Sequence, residues 1–382
     1  MNVLTDLAAD IYKAADVVGR SLTGFIPSSL INADGSERAA QGDSVRSHFT
    51  RRATAVNSTP SMTIPEGTDQ TVDSKTLTMG APRSVQVPWT GEEMRHVDNG
   101  SGFETIYGDQ IMQAMETLAL EVEVALATEA AQNASRAVGV AGTTPFASSF
   151  DEVAQVRQVL VDNGMPTGDN RTTLVMSTAA GTNLRNKAQL QRVNEAADGG
   201  ALIRRGELLN LQGLMMKESS QIPNVSASSG SGYLVNGTPS VGETSIPVDT
   251  GTGAVSAGET LKFAGDSNVY VVAEDHAGGA GSIVIAEPGL IEAPADNAVI
   301  TNSGAFGANV AFHQTALEVA FRAPATPTGG DAAVDVMTVQ DPMSGLIFEI
   351  SAYKGYKKSM FDVSAIWGVR AWKPEHIALL LG

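Results

Sequence analysis

Hydrophobic residues recur at helical spacing along residues 103–137. Successive positions are four, three, four, three and four residues apart, and all but the last are apolar: Ile111, Met115, Leu118, Val122, Ala125 and Glu129. This spacing places them on one side of an α-helix. The stretch contains no proline and is rich in Ala, Leu, Glu, Gln and Met, which are good helix formers. It therefore predicts one helix on the order of 50 Å long, at about 1.5 Å per residue.

The chain before this helix has two different patterns. Residues 3–19 carry apolar positions at helical spacing and predict a short amphipathic helix. Residues 32–60 are polar, show little periodicity and form a local basic patch through Arg38, Arg46, His48, Arg51 and Arg52. Such a segment cannot build its own core, so it is either an extended arm lying on another surface or a disordered tail.

Residues 71–89 alternate with period two, which is typical of β-strands. The two runs, 71–76 and 84–89, flank the turn-forming sequence Gly80-Ala81-Pro82. They predict a β-hairpin. One flank is strongly polar, so the hairpin buries little by itself, and we expect it to pair with a neighbouring molecule.

The region after the long helix alternates between helix and strand signals. Ser149 and Glu152 have the spacing of a capping box before a second helix, which the Asn163-Gly164 pair ends. Residues 172–176 predict a buried strand, residues 177–193 a third helix, and residues 208–217 another strand.

Composition changes near residue 224, where a segment rich in Gly, Ser, Thr and Val begins and continues to Gly304. Short β runs recur in it between Gly and Asp turns, at residues 245–248, 260–263, 269–273, 282–286 and 298–301. Evenly spaced short strands predict a compact all-β insert. Beyond it, residues 309–322 look helical, and the patterns at 334–338, 346–350 and 365–369 predict strands.

Charge and composition exclude several functions. The 382 residues include 25 basic and 42 acidic ones, a formal net charge of −17, which disfavours extensive nucleic-acid binding and favours solubility at high concentration. The absence of cysteine excludes disulfides, thiolate catalysis and cysteine-rich zinc sites. We expect neither a secretory signal nor a membrane span, since no basic segment precedes an uninterrupted apolar run and no apolar run approaches about 20 residues.

The search for catalytic motifs is negative. The sequence contains neither a nucleophile elbow nor a phosphate-binding loop, and its five histidines are scattered. Glu274-Asp275-His276 has metal-ligand chemistry, but the adjacent Gly278-Gly279 favours an exposed turn. Residues 225–304 contain nine acidic residues and only one basic residue, Lys262. This excess of acids favours a solvated surface over a site for cations or a basic partner. An enzyme is therefore the weakest hypothesis.

The order of these parts, and two stretches in particular, carry a family resemblance. Residues 255–265, VSAGETLKFAG, are similar to the segment GDKISFAG of one capsid family, and residues 366–377, IWGVRAWKPEHI, are similar to its ending LWYGVNATRPEAI. The chain resembles the major capsid proteins of tailed phages with the Hong Kong 97 fold. It is most similar to the coat proteins of the short-tailed Salmonella phages, which carry an inserted β-barrel.

The resemblance implies an α+β fold with named parts. These are an N-terminal helix and arm over 1–60, an extended hairpin or E-loop over 61–100, a spine helix with the peripheral domain and the first part of the axial domain over 101–224, an all-β insertion domain over 225–304, and the β-rich return of the axial and peripheral domains over 305–382. The stripe of the long helix would pack on the peripheral sheet. Glu116, Glu121 and Glu123 would lie mostly off that stripe, with Glu129 near the helix end.

The implied function is structural. The subunit would form hexamers and pentamers of an icosahedral shell around double-stranded DNA, held without sequence specificity. Its partners would be scaffolding, portal and decoration proteins, and it would use no cofactor, metal, catalytic residue or membrane. Assembly would take place in the host cytoplasm, and the protein would reside in the virion capsid. The candidates for intersubunit or nucleic-acid contact are Arg46, Arg51, Arg52, Lys75, Arg83 and Trp89. The alternatives are an encapsulin-like nanocompartment shell and, less favoured, a secreted adhesin.

Overall fold

The computed structural model describes residues 11–12, 14, 19–50, 55, 57–64, 72–98, 103–191, 206, 208 and 210–382. The predicted helix over residues 3–19 lies almost entirely outside these residues. Arg51 and Arg52 also lie outside them.

The described chain is mixed α and β. The helices are α1 (Gly91–Asp98), α2 (Phe103–Gln132), α3 (Asp151–Asp162), α4 (Thr178–Arg185) and α5 (Ala188–Gln191), with 3-10 turns at Ile26–Ser28, Gln314–Ala316 and Pro374–His376. The strands are β1 (Leu30–Ala39), β2 (Ser44–Thr50), β3 (Val72–Thr78), β4 (Arg83–Thr90), β5 (Arg136–Gly139), β6 (Thr172–Ser177), β7 (Met215–Ser219), β8 (Asn224–Val225), β9 (Ser245–Val248), β10 (Thr260–Phe263), β11 (Val269–Val271), β12 (Gly281–Val284), β13 (Ile300–Asn302), β14 (Phe306–His313), β15 (Leu317–Pro324), β16 (Ala333–Gln340), β17 (Ile347–Gly355), β18 (Lys358–Ala371) and β19 (Ile377–Leu381).

The long helix α2 confirms the central prediction, although it ends at Gln132 because Arg136–Gly139 form β5. Burial extends beyond the predicted stripe, since Met112, Leu126 and Ala130 are also buried. A helix that is apolar around most of its circumference is typical of a core position. Helix α2 is therefore packed on several sides within the main hydrophobic core.

A six-stranded sheet covers one side of α2. Its order is β1-β15-β18-β17-β16, and β4 pairs with the first half of β18. Val85 of β4 and Val363 and Ala365 of β18 belong to the same core as α2. The predicted strands of the C-terminal region are confirmed in this sheet.

A nine-stranded sheet forms the second layer, in the order β13-β10-β11-β5-β19-β14-β6-β7 with β8 beside β14. Strand β19 is entirely buried and lies between β14 and β5. A second apolar cluster packs α3 and α4 against β6, β14 and β19.

Residues 233–300 contain a third core of their own. The β runs predicted there are confirmed at β9 to β13, with bounds that agree to within two residues at every end. This segment joins the second sheet through Val269, which pairs with Ala137, and Tyr270, which pairs with Arg136. It is therefore attached to the body by strand pairing.

The predicted hairpin over residues 71–89 is wrong in its pairing. Strand β3 pairs with β2 instead, and β4 pairs with β18. Val85 of β4 packs against the core that contains α2, and the β4 backbone pairs with β18, so β4 belongs to the large sheet. The extended two-stranded element is thus the β2–β3 ribbon.

The helix predicted over residues 309–322 is also wrong, because this segment forms β14 and β15 around a short turn. Both strands are buried on both faces, so their apolar residues run almost without interruption. Such a run does not distinguish a buried strand from a buried helix. The helix predicted over 177–193 is split between α4 and α5. The start of α3 lacks the expected capping box, since Glu152 accepts from the Phe146 N–H.

Two acids expected off the apolar stripe of α2 are buried. The Glu123 carboxylate accepts hydrogen bonds from the backbone N–H groups of residues 24, 25 and 26 at 2.6, 2.9 and 2.9 Å, and from the Ser219 hydroxyl at 2.8 Å. Glu116 accepts from the Ser21 N–H at 2.8 Å and faces Arg20, which also binds Asp341. Helix α2 therefore binds the backbone of residues 21–26 and the side chain of Arg20.

We predict that Glu123→Ala lowers the free energy of unfolding by at least about 3 kcal/mol, because it leaves three backbone N–H groups without their acceptor in the core. Urea unfolding of the unassembled subunit, followed by circular dichroism, measures this loss. Glu121→Ala is the matched control on the same helix. It removes only a partly exposed ion pair and costs roughly 0 to 1 kcal/mol. Equal losses in the two variants would contradict the prediction.

Candidate assembly surfaces

The β2–β3 ribbon forms a sheet of its own, to which no other described strand pairs. Its base is fixed, since Leu77 and Met79 pack with Ala320 and Ile366 in a small separate core. Gly368 allows this approach, because a Cβ there would lie 2.4 Å from the Thr78 carbonyl oxygen. The ribbon therefore leaves the body at a fixed point.

Residues 57–64, on the chain between β2 and β3, are exposed throughout. Met62 and Ile64 are exposed at 105% and 93%. Two large apolar side chains this open, within three residues of each other, make this segment a candidate surface for association. We call residues 57–64 the ribbon tip.

Four of the six predicted contact residues are described, and they occupy different environments. Arg46 is exposed on β2, opposite Thr76. Lys75 on β3 donates to the Trp372 carbonyl at 2.9 Å and lies 3.6 Å from the Glu287 carboxylate. The ribbon is thus linked both to the end of β18 and to the 225–304 segment.

The Arg83 guanidinium donates two hydrogen bonds to the Glu121 carboxylate of α2, at 2.8 and 2.7 Å. The hydrogen bond and the opposite charge raise the pKa of Arg83 and lower that of Glu121. More than half of the Arg83 side chain is exposed, so this pair contributes little stability. It holds the start of β4 against the middle of α2.

Trp89 lies inside the subunit, with an exposed fraction of 9%. Its indole N–H donates to the Gln110 side-chain oxygen at 2.8 Å, and its ring packs edge-on against Tyr107 at 5.0 Å. Trp89 therefore joins β4 to α2. A role in contacts between subunits stays a prediction for all six residues.

The open edge of the six-stranded sheet is a second exposed surface. On β16, Val334 and Val336 are exposed at 54% and 45%. Val336 lies in register with Ser351 and Asp362, on the sheet face that also lines a cleft of about 260 Å³. Burial and, to a lesser degree, nearby carboxylates raise the pKa of Asp362. This face combines apolar and acidic groups.

A third exposed surface, not predicted from the sequence, is a turn rich in lysine. The turn between β17 and β18, residues 354–358, has the sequence Lys-Gly-Tyr-Lys-Lys and is exposed throughout. Three lysines within five residues of an acidic chain are visible in the sequence. Alternation of apolar and polar residues predicts the flanking strands, but it gives no information about the turn that connects them.

Among the described residues, no group of three or more His, Asp or Glu side chains is arranged to hold a metal ion. Within the same part of the chain, no helix is long and apolar enough to cross a membrane.

A family model described as "P22 coat protein - gene protein 5" matches residues 55–280, more than half of the chain. The chain belongs to the P22 coat protein family. It is a phage major capsid protein that forms shells of many copies, and its place is the virion capsid. The match runs from the ribbon through α2 into the segment with its own core.

Solved structures similar to this chain come from capsids and a virus-like particle, and the first of them supports the fold. A structure titled "Mycobacterium phage Che8" superposes with a TM-score of 0.50 and 13% identity, over 95% of this chain and 92% of that one. A structure of the capsid of cyanophage P-SCSP1u gives 0.49 and 12%, over 95% and 89%. A virus-like particle from Pyrococcus furiosus gives 0.43 and 10%, over 99% and 98%. No curated protein matches.

These findings confirm the resemblance and the α+β fold expected from the sequence. The nanocompartment alternative is not better supported than a phage capsid. The division into domains stays a prediction.

Proposed function

We propose that copies of this chain assemble into a closed icosahedral shell around a double-stranded DNA genome, and that the β2–β3 ribbon with its tip binds a neighbouring subunit. The observation that carries the proposal is the full exposure of Met62 and Ile64 beyond a ribbon that no other described strand pairs.

A two-stranded ribbon in water is marginally stable, because it has no third strand or apolar face to bury. The base of this ribbon is held by Leu77 and Met79, whereas its tip contacts solvent. Burial of the tip on a second copy would remove both apolar side chains from water, at about 25 cal/mol per Å². The ribbon therefore gains its stability in the assembled state.

The basic residues of the arm support a contact with another copy. Arg46 is exposed on a strand that carries no acid, and Arg51 and Arg52 follow in the sequence. The rest of the chain is acidic, so a neighbouring subunit offers opposite charge. We infer that these cations orient the ribbon on its neighbour, for which the acidic face beside β16 is suited.

Membership of the family supports a proposal of further partners. We infer that hexamers and pentamers of the chain close the shell, with scaffolding, portal and decoration proteins as partners, and that assembly takes place in the host cytoplasm. A shell that combines hexamers and pentamers of one chain requires contacts that differ slightly between positions, to which a ribbon attached at one end can adapt. The role of the chain is structural and not catalytic.

We predict that Met62→Ser combined with Ile64→Ser abolishes shell formation and leaves the subunit as stable as the wild type. Both side chains are outside the subunit's cores, so folding does not depend on them. Light scattering and negative-stain electron microscopy measure assembly, and urea unfolding measures stability.

Val140→Ser is the control for this experiment, because Val140 is an exposed apolar residue away from the ribbon. It should leave assembly unchanged. Normal shells from the Met62/Ile64 variant would exclude the proposed role of the tip. Deleting residues 71–89 would be a poor test, since it removes β4 from the large sheet.

We also infer that the 225–304 segment is an inserted domain. The chain enters it at Val225 and leaves it at Phe306, and these two residues are paired strand partners. Its core draws only on residues 233–300. Arg136 of β5 donates to the Asn268 side-chain oxygen at 2.9 Å. This hydrogen bond also connects the insert to the body.

We predict that replacing residues 226–305 with a linker of about four Gly and Ser residues gives a folded but less stable body. The paired ends lie about 5 Å apart, so a short linker can join them. Circular dichroism should show that α2 persists, and thermal unfolding should occur at a lower temperature because β5 loses its partner β11. The excised segment, expressed alone, should fold. An unchanged unfolding temperature, or loss of all structure in the body, would contradict this.

A further inference from the structure

The turn between β17 and β18 concentrates positive charge on an acidic protein. Lys354, Lys357 and Lys358 lie within five exposed residues, and no acidic residue occurs between Glu349 and Asp362. None of the three ammonium groups forms a salt bridge with a carboxylate of the described residues. We call residues 354–358 the lysine turn.

The geometry of the lysine turn presents these groups outward. Gly355 and Lys358 form the last pair of the two strands, so Tyr356 and Lys357 make the connection. Tyr356 is 89% exposed, and the Lys357 ammonium lies 5.5 Å from the centre of its ring. That distance is within the range of a cation–π contact.

The neighbouring helix α1 lies against the lysine turn and carries charges of both signs. The Gly91 N–H donates to the Lys357 carbonyl at 3.2 Å, which holds the start of α1 against the lysine turn. Arg95 is exposed one helical turn further along. The pKa of Glu93 on α1 is lowered mainly by hydrogen bonds from Thr90 and less by the charge of Lys358. The three lysines and Arg95 outnumber the three acids of α1 by one, so the net charge of the region is slightly positive and its positive charge is concentrated in the lysine turn.

We propose that the lysine turn contacts the phosphate backbone of double-stranded DNA inside the shell. The proposal rests on the proposed function, in which the shell encloses DNA. Lysine ammonium groups neutralise phosphates without reading sequence, and a tyrosine hydroxyl donates to phosphate oxygens. The exposed Tyr356 and the three lysines supply both kinds of contact.

The composition of the turn favours DNA over a neighbouring subunit as its partner. Protein–protein interfaces are depleted in lysine, and their centres bury apolar side chains. The lysine turn has no exposed aliphatic residue, whereas the ribbon tip has two. The acidic remainder of the chain keeps such a contact weak and local, which suits DNA that must be released.

The first test measures binding of the unassembled subunit to a duplex of about 30 base pairs by fluorescence anisotropy, at roughly 25 to 100 mM salt. Three phosphate contacts predict a slope of about −2.7 in log affinity against log salt, so a fourfold rise in salt weakens wild-type binding about 40-fold. Lys354→Gln, Lys357→Gln and Lys358→Gln together should remove most of this slope and weaken binding at least about tenfold at the lowest salt.

The control variant combines Arg157→Gln, Arg171→Gln and Lys262→Gln, which removes the same charge from three other exposed positions. It should retain the wild-type slope. Equal behaviour of the two triple variants, or absence of binding by the wild type, would overturn the proposal.

A second test identifies the partner in the particle. A photo-crosslinking benzoylphenylalanine in place of Tyr356, irradiated in DNA-filled particles, should attach the subunit to DNA. Crosslinks to a second copy of the chain would overturn the proposal, and so would failure of the lysine variant to form shells. If the wild type forms no shells at all, the proposed function fails, while the anisotropy experiment still tests the lysine turn.

Discussion

A buried carboxylate on the long helix fixes how the rest of the subunit is arranged. An unpaired charge in a protein core is costly, so Glu123 is stable only because three backbone N–H groups and the Ser219 hydroxyl reach it. Those N–H groups belong to residues 24–26, directly before the turn that leads into β1. The helix thereby sets the position of β1 at the edge of the six-stranded sheet, and the chain that follows it becomes the ribbon.

The same constraint explains why the extended parts leave the body in a defined direction. Strand β1 is held in parallel register with β15, and Arg38 on β1 forms an ion pair with Glu349 of β17. The ribbon then crosses β18 where Gly368 has no side chain to obstruct it. These contacts lie at the base of the ribbon, the first two before the tip in the chain and the third, with Thr78, after it. The base is therefore rigid, and the exposed tip can meet a neighbour at a set position.

Periodicity predicted the parts of the fold in which one physical pattern dominates. The long helix and the short strands of residues 245–302 were found because local spacing decides their structure. Which strand pairs with β3 depends on residues more than 20 positions earlier, and the burial of both faces of β14 and β15 hides their alternation. Glu116 and Glu123 were expected mostly off the apolar stripe, and their burial was not predicted, since spacing gives the side of a helix but not the backbone that covers it.

The candidate surfaces show the same division between local and distant information. Trp89 and Arg83 are conspicuous in the sequence, yet each is engaged by α2, through Gln110 and Glu121. The ribbon tip and the lysine turn show no periodic pattern in the sequence, and they are recognised only when the exposure of their apolar or charged side chains is known. The polar contacts that stabilise the fold are internal to the subunit, whereas these two surfaces contribute to none of its cores. In the proposed roles, folding therefore depends on other residues than these two surfaces. Substitutions at the tip would act on the shell, and substitutions at the turn would act on the contact with DNA, without first acting on the subunit.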